Sequence, residues 1–196
     1  IEFGTEWRFF HHRFGIDFTW YQTNTKNQLL RMDNPTGSTY KYRYVNAGKI
    51  RNQGFELTVD ATPLLYRNFS WKSLINMSAN KNKVVTLHPD YPEFSYYEEG
   101  FNAGYQMRVK EGGSLGDIYG NAFRRNEDGS IMVDETSKRP LGNTGNKDLL
   151  GNANPDFTMG WSNTLTYKNL ELYFLIDFRF GGEVMSLTQS SWMPTA

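Results

Sequence analysis

The sequence predicts an all-β fold: an antiparallel up-and-down meander that forms part of a transmembrane β-barrel. Three observations predict it. Apolar and polar residues alternate with a period of two through six segments of roughly nine to twelve residues. The connections between these segments are short and long in strict turn. The composition joins 16 % aromatic residues to only 21 % charged ones, which suits strands with one face to hydrocarbon and one to water.

The first strand, near residues 1–10, sets Phe3, Trp7 and Phe9 against Glu2, Glu6 and Arg8. The second, near 14–30, sets Phe14, Ile16, Phe18 and Trp20 against Asp17 and Thr19. The third, near 51–62, has Phe55, Leu57, Val59 and Ala61 opposite Glu56, Thr58, Asp60 and Thr62. The fourth, near 69–83, alternates less cleanly, with Phe69, Trp71, Ile75, Met77 and Ala79 on one side and Leu74 out of phase. The fifth, near 156–167, carries Phe157, Met159, Trp161, Leu165 and Tyr167. The sixth, near 170–181, carries Leu170, Leu172, Phe174, Ile176, Phe178 and Phe180 against Glu171, Asp177 and Arg179.

Short connections fall at Phe10 to Arg13, Pro63 to Asn68 and Lys168-Asn169, the last with the look of a tight turn. Long ones cover residues 31–50, 84–155 and 182–196. A meander with tight turns at one membrane surface and long loops at the other has this parity, and a soluble sandwich has no reason to keep it. Loops this long inside a compact domain are usually functional. The longest is expected to hold a small hairpin, turning at Asn126 to Gly129 and returning through Ile131 to Val133.

The two rows have distinct chemistry. In a barrel the apolar row meets lipid and the polar row faces a wet lumen. That makes Asp17, Glu56, Asp60, Glu171, Asp177 and Arg179 lumen-facing, and places Trp7, Trp20, Trp71 and Trp161 in an aromatic girdle. In the alternative, a soluble all-β carbohydrate-binding module, the same apolar rows pack against a second sheet.

Composition narrows the function. Lys plus Arg equals Asp plus Glu at 21 each, so the basic excess of a general nucleic-acid binder is missing. No apolar run approaches the ~18–20 residues of a spanning helix. Without cysteine there is no disulfide scaffold and no thiolate metal site. Ile1 opens without the basic and apolar regions of a signal peptide, as expected of a mature or excised chain.

Four segments carry a family resemblance: residues 52–57 (NQGFEL), 76–84 (NMSANKNKV), 111–120 (EGGSLGDIYG) and 150–157 (LGNANPDF). In this order and spacing they resemble the SusC/RagA family of TonB-linked outer-membrane transporters. The resemblance covers almost the whole chain. Members are several times longer, with an amino-terminal plug, a TonB box and a barrel of about 22 strands. These residues resemble a carboxy-terminal part of that barrel, without the plug or the box.

The resemblance implies a function in the outer membrane of a Gram-negative bacterium: import of glycans, or of peptides in the RagA branch. It implies a SusD-like surface lipoprotein as lid, TonB acting through a plug, and no cofactor. The long connections would be extracellular. Their aromatics, chiefly Tyr40, Tyr42, Tyr91, Tyr96, Tyr97 and Trp192, would then touch an oligosaccharide, a peptide or the lid, since aromatic faces and phenol hydroxyls suit sugars. The same residues can instead pack the loops together.

Other motifs are weak. Gly112 to Gly116 matches the G-x-S-x-G elbow, but no histidine follows Ser114 and no helix is signalled, so no catalytic residue is assigned and no enzyme is expected. Residues 124–135 nearly match a calcium loop, yet Arg124 stands where the first carboxylate belongs. His11, His12 and His88 do not have the spacing of a zinc site, so no metal is assigned.

Overall fold

The structure is a computed structural model that describes residues 1–34, 37–40, 42–46, 48–89, 92–99, 105–143 and 147–186. Among the described residues twelve strands run in order: β1 (Glu2–Phe9), β2 (Phe14–Lys26), β3 (Leu29–Asp33), β4 (Tyr42–Asn46), β5 (Lys49–Tyr66), β6 (Phe69–Thr86), β7 (Glu93–Glu99), β8 (Tyr105–Lys110), β9 (Asp117–Gly120), β10 (Asp148–Asn152), β11 (Phe157–Tyr167) and β12 (Leu170–Phe180). They divide between two units.

The first unit comprises Ile1–Thr25, Arg51–Asn82 and Pro155–Gly181. It is one six-stranded sheet in the order β1-β2-β5-β6-β11-β12. β1 with β2, β6 with β11 and β11 with β12 pair antiparallel. β5 and β6 have 18 residues each. That exceeds the ~9–11 that a tilted strand needs to cross a bilayer.

Register keeps each row intact. Phe3 faces Trp20, Trp7 faces Ile16 and Phe9 faces Phe14. Met77, Met159 and Phe178 form one apolar rung, and Ile75, Trp161 and Ile176 the next. Stacking adds cohesion along these rows, as between Phe18 and Phe55 at 6.2 Å and Phe157 and Phe180 at 4.4 Å.

The short turns lie at one end. Lys168 donates its N–H to the Asn68 carbonyl at 2.9 Å, tying the β11–β12 turn to the β5–β6 turn. Thr62 donates to the Arg13 carbonyl at 2.7 Å, so the β1–β2 turn joins the same rim. In that turn Phe10, His11 and His12 all have positive φ, between 51° and 62°. This left-handed run is costly for residues with a Cβ, and the Arg13 N–H to Phe9 carbonyl bond at 3.1 Å closes it.

Ile50, Val84, Leu87, Val109 and Ile118 are the buried hydrophobics among the described residues, and all belong to the second unit. On the sheet Phe3 is 62 % exposed, Trp7 56 % and Leu172 56 %, and Phe9, Phe174 and Ile176 are also exposed. The soluble carbohydrate-binding alternative would need these rows covered by a second sheet. An apolar face this extensive is stable only against another apolar phase.

The second unit holds more regular structure than the alternation of residues 31–50 and 84–155 signals. It comprises Lys26–Ile50, Lys83–Asn154 and Gly182–Ala196. β3 pairs with β4, and β10, β9, β8 and β7 form a four-stranded sheet. Its core packs Val84, Leu87 and Val109 with Leu115. Short, bulged strands with mixed faces give little period-2 signal, so the sequence predicts only loop and one small hairpin here.

Within it, residues 122–143 form a three-legged arm. Arg124 donates to Leu141, Leu141 to Met132 and Met132 to Arg124, a closed cycle of backbone bonds at 2.8–2.9 Å. The expected hairpin turn is present: Asn126 donates to Ser130 at 2.9 Å, with Gly129 at φ 85°.

Candidate functional site: the polar wall and the root of the loops

The polar rows of the six strands assemble into a continuous wall. Glu6 faces Asp17, and Ser78, Thr158 and Arg179 form one rung. Asn76, Gly160 and Asp177 form the next, and Ser70, Thr166 and Glu171 lie near the short turns. Hydroxyls and amides link neighbouring strands: Thr58 Oγ1 donates to Asn76 Oδ1 at 2.9 Å, and Ser78 and Thr158 share a bond at 2.9 Å. Higher up, Tyr21 donates to Asn80 at 3.3 Å, and Asn82 donates to Asn52 at 2.8 Å.

A shallow hollow of about 710 Å³ opens on this wall, bordered by Glu56, Thr58, Asn76, Thr158, Asp177 and Arg179. Three of the six residues expected to face a lumen therefore meet at one place. Asp17 and Asp60 lie on the same face nearer the β1–β2 turn, and Glu171 lies near the β11–β12 turn.

Arg8 organises the wall near the β1–β2 turn. Its guanidinium pairs with Asp60 on β5 and donates through Nε to Glu6 at 2.9 Å. To reach β5 it crosses β2 at Gly15, its register partner. A Cβ on Gly15 would collide with the guanidinium and with the Asp60 carboxylate. Gly15 is thus the gap through which β1 and β5 are joined by charge. Gly15→Val should push the flexible end of Arg8 aside and break its exposed pair with Asp60, read as a slightly lower unfolding midpoint. A matched Thr19→Val variant, in contact with no ion pair, should shift it by less than about 0.5 kcal/mol.

Of the six aromatic loop residues, Tyr40 and Tyr42 have described side chains. Tyr40 is 75 % exposed and Tyr42 39 %. The Arg31 guanidinium lies 4.5 Å from the Tyr42 ring centroid, a cation–π contact. Tyr96 and Tyr97 lie on β7, whose backbone alone is described there. Tyr91 and Trp192 fall outside the described residues.

Sequence reading missed a hydrogen-bonded knot at the root of the loops. Asp117, 7 % exposed, accepts from the Ser114 N–H at 2.8 Å and from Asn152 Nδ2 at 2.7 Å. Asn154 donates its N–H to Asn152 Oδ1 at 2.8 Å and its amide to Ser114 Oγ at 3.2 Å. Glu183 accepts the Asn152 N–H at 2.7 Å and returns its own N–H to the Asn152 carbonyl at 2.8 Å. Gly112, at φ 85°, donates to the Val84 carbonyl at 2.9 Å. The GGSLGD and LGNANP segments are therefore two halves of one knot, and the Ser114 hydroxyl serves it as an acceptor.

The near-calcium-loop carboxylates are committed to turns. Asp128 accepts from the Ser130 hydroxyl at 2.6 Å and its N–H at 2.9 Å, and Asp134 accepts from the Ser137 N–H at 2.6 Å and the Thr136 N–H at 3.2 Å. These bonds hold both carboxyls below the usual carboxylate range. A lowered folded pKa contributes order that is complete above the unfolded value and is lost as pH falls through the folded one. The Ser130 and Ser137 amide resonances should therefore keep their folded positions at pH 6 and move only in acid below about pH 4. An amide shift titration reads this directly.

Comparison with known proteins places this geometry. The TonB dependent receptor-like β-barrel family model matches residues 1–181. TonB-dependent receptor P3 of Formosa agariphila is 26 % identical, covering 96 % of this chain and 21 % of that protein. TonB-dependent receptor SusC of Bacteroides thetaiotaomicron is 23 % identical over 87 % of the chain and 18 % of its own length. The solved RagAB peptide transporter has a TM-score of 0.70 at 17 % identity, covering 92 % of this chain and 20 % of that one. The chain spans about a fifth of the length of these proteins.

Proposed function

The chain belongs to the TonB-dependent receptor β-barrel family, and from that premise we propose that it forms a sector of an outer-membrane transporter importing glycans or other oligomeric nutrients. The observation that supports this most is the sheet itself, with an exposed apolar row on one face and a hydroxyl, amide and carboxylate wall on the other. Lipid covers the first and a water-filled bore the second.

β1 and β12 end the strand order of the sheet. In hydrocarbon their outer N–H and C=O groups would cost several kcal/mol each. Since the smallest closed barrels need about eight strands, further strands complete the wall and enclose the polar face. Asp17, Glu56, Asp60, Glu171, Asp177 and Arg179 then line the bore. The barrel carries no energy source, so TonB acts on a plug inside it. A SusD-like surface lipoprotein closes the mouth, touching the loops that bear Tyr40, Tyr42, Tyr91, Tyr96, Tyr97 and Trp192.

The Tyr- and Asn-rich loops support an oligosaccharide cargo, through ring stacking and polar contacts. The test is uptake by cells that make the complete protein, offered fluorescent oligosaccharides and oligopeptides in parallel. Oligosaccharide entry that stops when TonB is deleted is the expected result. TonB-dependent peptide entry alone would replace the cargo. Entry of both classes without TonB would overturn the transporter reading.

A further inference from the structure

The apolar row of β6 and β11 is interrupted once. Ser73 and Asn163 lie directly opposite each other where every neighbouring rung is apolar. Asn163 is 1 % exposed. Two tryptophans close over the pair from opposite sides: Trp71 Nε1 donates to Asn163 Oδ1 at 2.9 Å, and Trp161 Nε1 donates to Ser73 Oγ at 2.8 Å. Each indole reaches diagonally, since Trp71 is in register with Leu165 and Trp161 with Ile75. Asn163 Nδ2 remains buried without a partner. A polar pair kept in an apolar row, with one donor unpaired, reduces stability relative to an apolar pair of the same size.

We propose that Asn163 and Ser73, with Trp71 and Trp161, form a register lock for β6 and β11. The need for one is greatest at this pairing. Short turns fix β1 on β2, β5 on β6 and β11 on β12, whereas about seventy residues separate β6 from β11. Alternation forbids a one-residue slip, because it would turn every apolar side chain to the wrong face. A two-residue slip keeps each side chain on its proper face, so alternation does not oppose it. The lock does. A slip that faces Asn163 with Ile75 carries each indole two residues further from its acceptor and leaves an amide and a hydroxyl unpaired in the apolar row. The opposite slip faces Asn163 with Trp71 and pulls it away from Ser73, dividing the shared shelter. The penalty is largest where that row faces hydrocarbon, so the inference rests in part on the lipid-facing reading. A buried polar group that fixes register at some expense in stability is a known device.

Because the chain lacks cysteine, paired cysteines report register cleanly. Thr158→Cys is combined in the complete, membrane-assembled protein with Ser78→Cys, its partner in the observed register, or with Asn80→Cys or Asn76→Cys, its partners after either slip. These sites lie on the polar face, apart from the lock. In the native background the Thr158–Ser78 pair should dominate disulfide formation. In the Ser73→Val/Asn163→Leu background the slipped pairs should rise at least about tenfold while the unfolding midpoint stays level or increases. Ser73→Val alone should raise them less, and serves if the double variant does not assemble. An unchanged register distribution in these backgrounds overturns the lock. The disulfide pattern reports register whatever faces the apolar row, so its failure is distinct from failure of the lipid-facing reading, which solvent access along β12 tests separately.

Discussion

Ile176→Arg is expected to destabilise the assembled protein by about 2–4 kcal/mol, the cost of a cation on the lipid face near mid-bilayer. Ile176 stands in register with Trp161, in the row that includes Phe174 and Phe178. It is 39 % exposed, and no carboxylate lies in its row on β11 or β12 to neutralise an arginine. Thr164→Arg supplies the control. Thr164 lies on the same pair of strands but on the polar face, between Lys72 and Tyr173. An arginine there meets water and the neighbouring Lys72 charge, and should cost no more than about 1 kcal/mol. Denaturant midpoints of the two variants in detergent or bilayer, measured side by side, check the asymmetry. A soluble globule with Ile176 in its core would also reject arginine, so the informative comparison adds Ile176→Trp. Lipid accepts the larger side chain, whereas a packed core loses about 1–3 kcal/mol to overpacking.

Asp117→Ala should loosen the root of the loops by a similar amount. It removes the acceptor for the Ser114 N–H and the Asn152 amide, and leaves two partly buried donors unpaired at about 0.5–1.5 kcal/mol apiece. The expected readout is local: faster amide exchange at residues 113–117 and 152–154, with β11 and β12 unchanged. Asp117→Asn keeps one oxygen but adds donors facing donors, so it should fall between the parent and Asp117→Ala. Equal exchange in all three proteins would show that the knot adds no order. Tyr119, two residues on, has its hydroxyl pKa raised, chiefly by burial and then by the Asp117 charge. Removing that carboxylate should bring the tyrosine pKa back toward its ordinary value.

The six long strands were legible because one physical signal, alternation of apolar and polar residues, runs through each of them. Keeping the rows intact then fixed the face of each side chain, placing Glu56, Asp177 and Arg179 on one wall, but not the register, which two-residue steps leave open. Four features were not legible, three of them because their cause is non-local. Gly15 reads as a break in an alternating segment; only the path of Arg8 to Asp60 shows that the gap is needed. Ser73 and Asn163 read as two faults in apolar rows, since nothing in sequence brings them face to face. Asp117 and Asn152 are 35 residues apart, and Glu183 lies 31 beyond Asn152. The repeated Asn and Gly of those segments were the available signal, because both residue types suit tight turns with side-chain acceptors. The four-stranded sheet of the second unit escaped notice because strands of four to seven residues with bulges leave no periodic trace.

The central claim, that one face of the sheet meets lipid and the other water, is tested most directly along β12. Single cysteines at each position from Leu170 to Phe180, in a chain with no native cysteine, would carry a spin label in the complete protein reconstituted into vesicles. Access to oxygen, which concentrates in hydrocarbon, and to a water-soluble nickel chelate is then measured site by site. The expected result is a two-residue oscillation in opposite phases. Oxygen access peaks at Leu172, Phe174, Ile176 and Phe178, and chelate access peaks at Glu171, Asp177 and Arg179. Oxygen and chelate access that rise and fall together, or low access to both along the apolar row, would contradict a lipid-facing wall.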